Sequence, residues 1–388
     1  MSENSVKKVL LIQILSSISI WMTLVSCIWE IGYCGKISPV SLGIMSFCFS
    51  GSMALFNGVM SMAIKPIHVK KYWLAAIIID VITFIFLIHD ELSRSEEFIC
   101  IFIVSACFSV IGTAVDKYLE VISLEGIDTS EKIFKLLRFS GPILGGILVY
   151  WFHFKMLMMI NICLYVLIAI VLIFVKAPIK NEALEKVETK YIDNRFYDAH
   201  EMIVKVLIVM TFVVTVCIQM VDAQLATLFR MVDLKSGAII GICIGISGTG
   251  VFLISLLFEK YLVKEYLFYV GMISMGFLLC LAGGLFSLLN MTPIIGIMTI
   301  FLFGGIFWQI IMSTLENIIK SFTDKNKMMK YFSVVGSMII VSYSFGAIVS
   351  GFIVRQIGIL NMYIGIGIVL VMFGIIGRVI NIKSANRK

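Results

Sequence analysis

The chain has 388 residues, of which 60% are hydrophobic and 14% charged, and it carries a net charge of +7. Soluble domains are nearer half apolar and a quarter charged, so a water-soluble fold of this length would lack the polar surface to cover its core. A cytosolic enzyme, a secreted domain and a disordered chain are poor fits; a multi-pass membrane protein fits.

The apolar residues fall in blocks of roughly 20, the length with which a helix crosses a bilayer. Span 1 is about Val9 to Trp29. It is followed by further spans and lacks a small-residue cleavage site, so it reads as a retained helix rather than a removed leader. Span 2 lies within Ile37 to Ile64. Span 3 runs from Tyr72 to His89 and is interrupted only by Asp80. Span 4 is Phe98 to Val115, span 5 about Ile133 to Phe152, and span 6 Met156 to Val175. A polar stretch, Lys176 to Glu201, then separates two groups of spans. Span 7 is about Met202 to Ala226 and span 8 Gly237 to Phe258. The charge-free run from Tyr266 to Leu315 is about twice a crossing. The turn-forming SLLNMTP (Ser287 to Pro293) divides it into span 9 (Tyr266 to Phe286) and span 10 (Pro293 to Ser313). Span 11 is Tyr331 to Val354 and span 12 about Asn361 to Ile380. The expected fold class is an all-α membrane protein of twelve transmembrane helices in two pseudo-symmetric six-helix bundles. The bundles are residues 1–175 and 202–388, and 176–201 is a cytoplasmic linker.

Basic residues set the orientation of such a chain. With the N-terminus inside, 21 of the 31 Lys and Arg fall on the inner side. Six (Lys36, Arg94, Lys155, Arg230, Lys235, Arg355) fall outside, and Lys135, Arg138, Lys205 and Arg378 lie within spans. Both termini and the linker are therefore expected in the cytoplasm, and the positive charge needs no nucleic acid to explain it. High Ile, Lys and Met point to a bacterial plasma membrane. None of the nine cysteines forms a C-x-x-C pair and the four histidines are scattered, so no metal site and no cofactor is expected.

The halves repeat. SGPILGGILV in span 5 holds Gly141, Pro142, Gly145 and Gly146. FGAIVSGFIV in span 11 holds Gly346, Ala347, Ser350 and Gly351, at an offset of 205. LEVI (Leu119 to Ile122) matches LENI (Leu315 to Ile318) at an offset of 196. Such internal similarity is usual in secondary transporters. Glu120 and Glu316 within these matches read as solvated loop charges, with bridges to basic loops as the alternative.

With these features the chain resembles the major facilitator superfamily, and within it the twelve-helix drug and macrolide exporters of the drug:proton antiporter type. Gly141, Pro142, Gly145 and Gly146 look like the end of that family's antiporter motif, although Leu137 stands where an upstream glycine is expected. The loop NGVMSMAIKPIHVKKY keeps Gly58, Lys65, Lys70 and Lys71 of the family's signature between helices 2 and 3 but lacks its acid. Span 4 lacks the family's arginine. The resemblance implies alternating access, a small solute, a proton or other cation, the lipid bilayer as surroundings and a monomer. It also implies that the glycine face of span 5 packs near span 8 and shapes the rocking of the halves.

Acids inside the bilayer are costly and normally face a partner or a wet cavity. Asp80 lies well inside span 3, and Glu30 and Asp222 sit near the outer ends of spans 1 and 7. A carboxyl held away from water can carry a proton. These three are the candidates for proton or cation coupling, with plain solvation at the outer headgroup zone as the alternative for Glu30 and Asp222 and a structural hydrogen bond to a neighbouring helix as the alternative for Asp80. Arg138 is a candidate for gating or substrate contact, or it snorkels to the headgroups. The resemblance places the solute path along spans 1, 4, 7 and 10, which offer Ser16, Ser17, Ser19, Met22, Thr23, Cys107, Met210, Gln219, Phe303 and Gln309. So few charges suit a hydrophobic or amphipathic solute. A transport-inactive receptor or immunity protein on the same fold stays open, because the loop acid and the span 4 arginine are missing. An enzyme is not expected, since no nucleophile–base or metal spacing is present.

Overall fold

The computed structural model describes residues 3–89, 92–122, 124–175, 199–232, 236–258, 261–288, 294–321 and 325–385. All regular structure among them is helical. Twelve long helical segments match the twelve expected spans. α1 is Glu3–Cys27 and runs on as a π-helix over Ile28–Cys34. α2 is Pro39–Ala63, with a π-helical piece at Phe47–Gly51. The others are α3 (Val69–Leu87), α4 (Arg94–Ile122), α5 (Leu124–Trp151), α6 (Phe154–Ile173), α7 (Ala199–Ala223), α8 (Gly237–Leu257), α9 (Tyr266–Leu288), α10 (Ile294–Lys320), α11 (Lys325–Ile357) and α12 (Ile359–Ala385). Eleven are long and apolar enough to cross a membrane by length and composition. The remaining one, α3, carries Lys70 and Lys71 in its first turn and Asp80 in its middle.

The helices start and stop for local reasons. Pro39 opens α2 at a position where its missing N–H costs nothing, and Ser38 caps it by accepting from the Ser41 amide at 3.1 Å. α11 and α12 are separated by Gly358 alone, whose φ of +80° suits glycine. The sequence boundaries fall short at several helix ends. α4 runs on to Ile122 and α10 to Lys320, so Glu120 and Glu316 are helical residues rather than loop residues. Counting charge-free runs finds the lipid-crossing part of a helix, whereas its hydrogen bonds continue into the water-facing turns. Span 7 ends sooner than expected. α7 stops at Ala223, and a short helix follows over Leu225–Met231. The linker residues 176–198, the turn residues 289–293, and Glu259 and Lys260 lie outside the described residues.

The chain forms two compact units. The first takes the residues up to Ile31, Cys48 to the end of α6, and Ser236–Gly241. The second takes Gly32–Phe47, α7 with the segment after it, and Ile242 onward. In the first unit, α3 shows how an apolar helix is divided. Trp73, Ile77, Asp80, Phe84 and Leu87 recur every three or four residues and are buried. Ile78, Ile79, Ile82, Ile85 and Phe86 are exposed, as side chains facing lipid are. Trp73 is fixed by a hydrogen bond from its Nε1 to the Ile111 carbonyl of α4 (3.1 Å) and packs on Tyr118.

The repeated glycine motifs make equivalent contacts in the two units. In the first, a Cβ on Gly146 of α5 would lie 2.8 Å from Cα of Gly241 on α8, and one on Gly241 would meet the Pro142 carbonyl. In the second, a Cβ on Gly351 of α11 would lie 2.7 Å from Cα of Val40 on α2, and one on Gly43 would lie 2.5 Å from the Ala347 carbonyl. Gly351 and Ala347 are the repeat partners of Gly146 and Pro142. The correspondence extends further. Gly141 abuts Trp21 of α1, and its partner Gly346 abuts the Val216 carbonyl of α7. Small residues stand where two backbones touch.

Candidate functional site

The first unit holds a buried polar cluster. Asp80 of α3, Asn161 and Tyr165 of α6 and Ser19 of α1 are all 0% exposed. Ser19 Oγ donates to Asn161 Oδ1 at 2.7 Å, and Asn161 Nδ2 donates to Thr23 Oγ1 at 3.0 Å. Thr23 in turn donates to the Ser19 carbonyl (2.9 Å). The Tyr165 hydroxyl faces both Asp80 and Ser19, and the Cys107 thiol of α4 faces Asp80. None of these approaches completes the carboxyl. Neither oxygen of Asp80, nor the Tyr165 hydroxyl, has a hydrogen bond of good geometry among the described residues. Four helices thus bring one carboxyl, one phenol, one thiol, one carboxamide and two hydroxyls together away from water.

The cluster arises from simple spacing. On α1, Ser16, Ser19, Thr23 and Ser26 recur every three or four residues, which places them on one face, and all four are buried. On α6, His153, Leu157, Asn161 and Tyr165 recur every four, from the residue that precedes the helix inward. The two helices run in opposite directions. Lys8 near the start of α1 donates to the carbonyl of Phe174 at the end of α6 (3.1 Å). At the other end a cavity of about 50 Å³ is lined by Ser26 and Glu30 from α1 and by His153 and Leu157 from α6 and its cap, among others.

Asp80 is therefore in the cluster, while Glu30 and Asp222 are exposed, one in each unit. Arg138 is partly exposed on α5, three residues before Gly141. Gly141, Pro142, Gly145 and Gly146 are buried, with Gly145 against the backbone of Met22 as well. Of the residues matched to the helix 2–3 signature, Lys65 in the α2–α3 loop and Lys71 in the first turn of α3 are exposed, Lys70 beside it is partly exposed, and a Cβ on Gly58, inside α2, would meet nothing within 4 Å. Ser19, Thr23 and Cys107, expected from the resemblance along the solute path, instead turn into the interior of the first unit. Their partners on α3 and α6 account for this. Tyr165, Asn161 and His153 were not singled out from the sequence. Their four-residue spacing on span 6, set beside the hydroxyl stripe of span 1, is the signal that carries them.

A second polar group lies in the second unit, at the break after α7. Gln224 Nε2 donates to the Pro39 carbonyl (2.9 Å) and to Ser350 Oγ (3.1 Å). Arg230 donates to the Ile37 carbonyl (3.0 Å), and burial lowers the affinity of its guanidinium for its proton. These bonds hold the start of α2 and the α11 motif. Among the described residues, no group of three or more His, Cys, Asp or Glu could hold a metal ion.

No family model matches the sequence, and no curated protein matches it. Solved structures do. A bacterial homolog of the human lysosomal transporter Spinster, in an inward-facing and unoccupied conformation, superposes with a TM-score of 0.69 at 13% identity, covering 100% of this chain and 98% of that one. The nucleoside transporter NupG gives 0.71 at 15%, covering 99% of each. A bacterial homologue of the human drug peptide transporters PepT1 and PepT2 gives 0.73 at 10%, covering 100% and 99%. All three are transporters. At such identities the likeness establishes architecture over the full length: the chain is a multi-pass membrane protein with the major facilitator fold.

Proposed function

We propose that the chain is a secondary active transporter that exports hydrophobic or amphipathic small molecules, coupled to a gradient of protons or of another cation, by alternating access. The observation that carries the coupling is the Asp80 carboxyl, enclosed without a completed hydrogen bond in the first unit. An ionised carboxylate in such surroundings is expensive and a protonated one far less so, so movement of a proton on and off Asp80 changes the energy of the bundle around it. The glycine contacts of α5 with α8 and of α2 with α11 give close, smooth seams on which such a change acts. No counterpart acid exists on α9, whose 23 residues carry no charge, so the coupling group sits in the first half of the chain. The few charges along spans 1, 4, 7 and 10 support an apolar solute. The solved relatives' names include nucleosides and peptides, so the fold itself accommodates several solute classes.

Purified protein in lipid vesicles under an imposed pH gradient tests this. Dye or macrolide accumulation is expected with the unaltered chain and not with Asp80→Asn, which should still exchange solute down its own gradient. A chain that moves no solute under any gradient would instead behave as a receptor or immunity protein. Equal gradient-driven accumulation by Asp80→Asn would remove Asp80 from the coupling.

A further inference from the structure

The polar face shared by α1 and α6 does more than surround Asp80. It runs from the cavity beside the exposed Glu30 and His153 inward past the buried hydroxyls of Ser26, Thr23 and Ser19 to the cluster. Glu30 and Ser26 line the cavity with His153. Thr23 follows one turn in from Ser26, bonded to Asn161, and Ser19 follows one turn further, bonded to the same carboxamide. From Glu30 to Ser19 is 11 residues, or ~16 Å of helix. Tyr165 faces Ser19 on one side and Asp80 on the other. With the orientation that the basic residues predict, the cavity opens on the outer face of the membrane.

We propose that this seam is the route by which protons from the outer solution reach Asp80, with the Ser19 and Tyr165 hydroxyls as its last two relays. The proposal rests on the coupling role given to Asp80 above and adds the side and the residues of access. The step balances without any other reactant. A hydrated proton from outer water enters at the cavity, the O–H bond of Tyr165 breaks as a new one forms on an Asp80 oxygen, and Tyr165 is reprotonated by Ser19. Ser19 recovers its proton from the hydrated proton that enters at the cavity, so one proton is gained by the carboxylate and one lost by the solution. In the arrangement seen here the Ser19 hydrogen points at Asn161 Oδ1 rather than at Tyr165, which holds the relay open-circuit. Rotation of the Ser19 hydroxyl closes the step between Ser19 and Tyr165. The titratable groups facing Asp80 are Tyr165 from α6 and Cys107 from α4, and those lining the cavity are Glu30 and His153.

Dicyclohexylcarbodiimide adds to protonated carboxyls in apolar surroundings, and the modified Asp80 peptide is counted by mass spectrometry. In right-side-out membrane vesicles, labelling is expected to fall as outer pH rises at constant inner pH, and to ignore inner pH at constant outer pH. Ser19→Ala and Tyr165→Phe should flatten the response to outer pH, while the same variants in detergent, with both faces in one buffer, still label at acidic pH. That second reading separates a broken route from a misfolded chain. Labelling that follows inner pH, or neither, or that never occurs, overturns the route. The coupling reading is judged separately by gradient-driven accumulation in Asp80→Asn. Outer-side labelling with undiminished accumulation would keep the route and end the coupling role, and inner-side labelling with lost accumulation would do the reverse.

Discussion

A side chain that is buried, ionisable and incompletely bonded works against stability, since the desolvation of each unmet polar atom is uncompensated. Asp80 is such a residue, and its removal separates two roles. Asp80→Asn is expected to leave the melting temperature in detergent unchanged or raised while abolishing gradient-driven accumulation; an earlier melt would assign the carboxyl a structural hydrogen bond. Asn161 is the opposite case, because both its bonds are made. Asn161→Ala takes the acceptor from the Ser19 hydroxyl and one of the two bonds from the Thr23 hydroxyl, and should cost about 1–2 kcal/mol, read as a lowered thermal midpoint. Asp80 was legible in the sequence because an acid in an apolar run stands out. Asn161 and Tyr165 were not, since uncharged polar residues are common in membrane helices and gain meaning only opposite a particular face of α1. The hydroxyls of α1 were visible, but the direction in which they turn depends on helix packing, which a single helix does not encode.

Between elements, some glycines touch a backbone, others a side chain, and others nothing. Gly146→Val would drive a side chain into the Gly241 backbone, and backbone does not yield as a flexible side chain does. Loss of well-behaved folded protein, or of transport in what folds, is expected and is read by fluorescence-detected size exclusion. Gly58→Ala, although it alters the family-like loop motif, meets open space and should match the unaltered chain in both yield and transport. Gly358→Ala should cost about 1–2 kcal/mol, because its left-handed φ disfavours a Cβ. The existence and number of the helices were readable, since lipid tolerates so few charges. Their exact ends were not, and neither was the π-helical stretch over Ile28–Cys34 that carries Glu30. Charge content marks where lipid ends, and a local change of hydrogen-bond register leaves no compositional trace.

At the scale of the whole chain, the internal repeat was the most informative part of the sequence, because the two copies of the glycine motif meet equivalent neighbours. Orientation follows from basic residues alone, and reporter fusions at either end should both be active in the cytoplasm; opposite sides would invert the proton route as well. Segments 32–47 and 236–241 each belong to the unit built mainly from the other half of the sequence. A gene split within 176–201 would therefore make two incomplete products, each missing a strip of its own interior and offering an unmatched backbone face to lipid. Made alone, either fragment should be degraded by membrane proteases. Made together, they should protect one another and co-purify, as interlocked castings do when neither was poured whole.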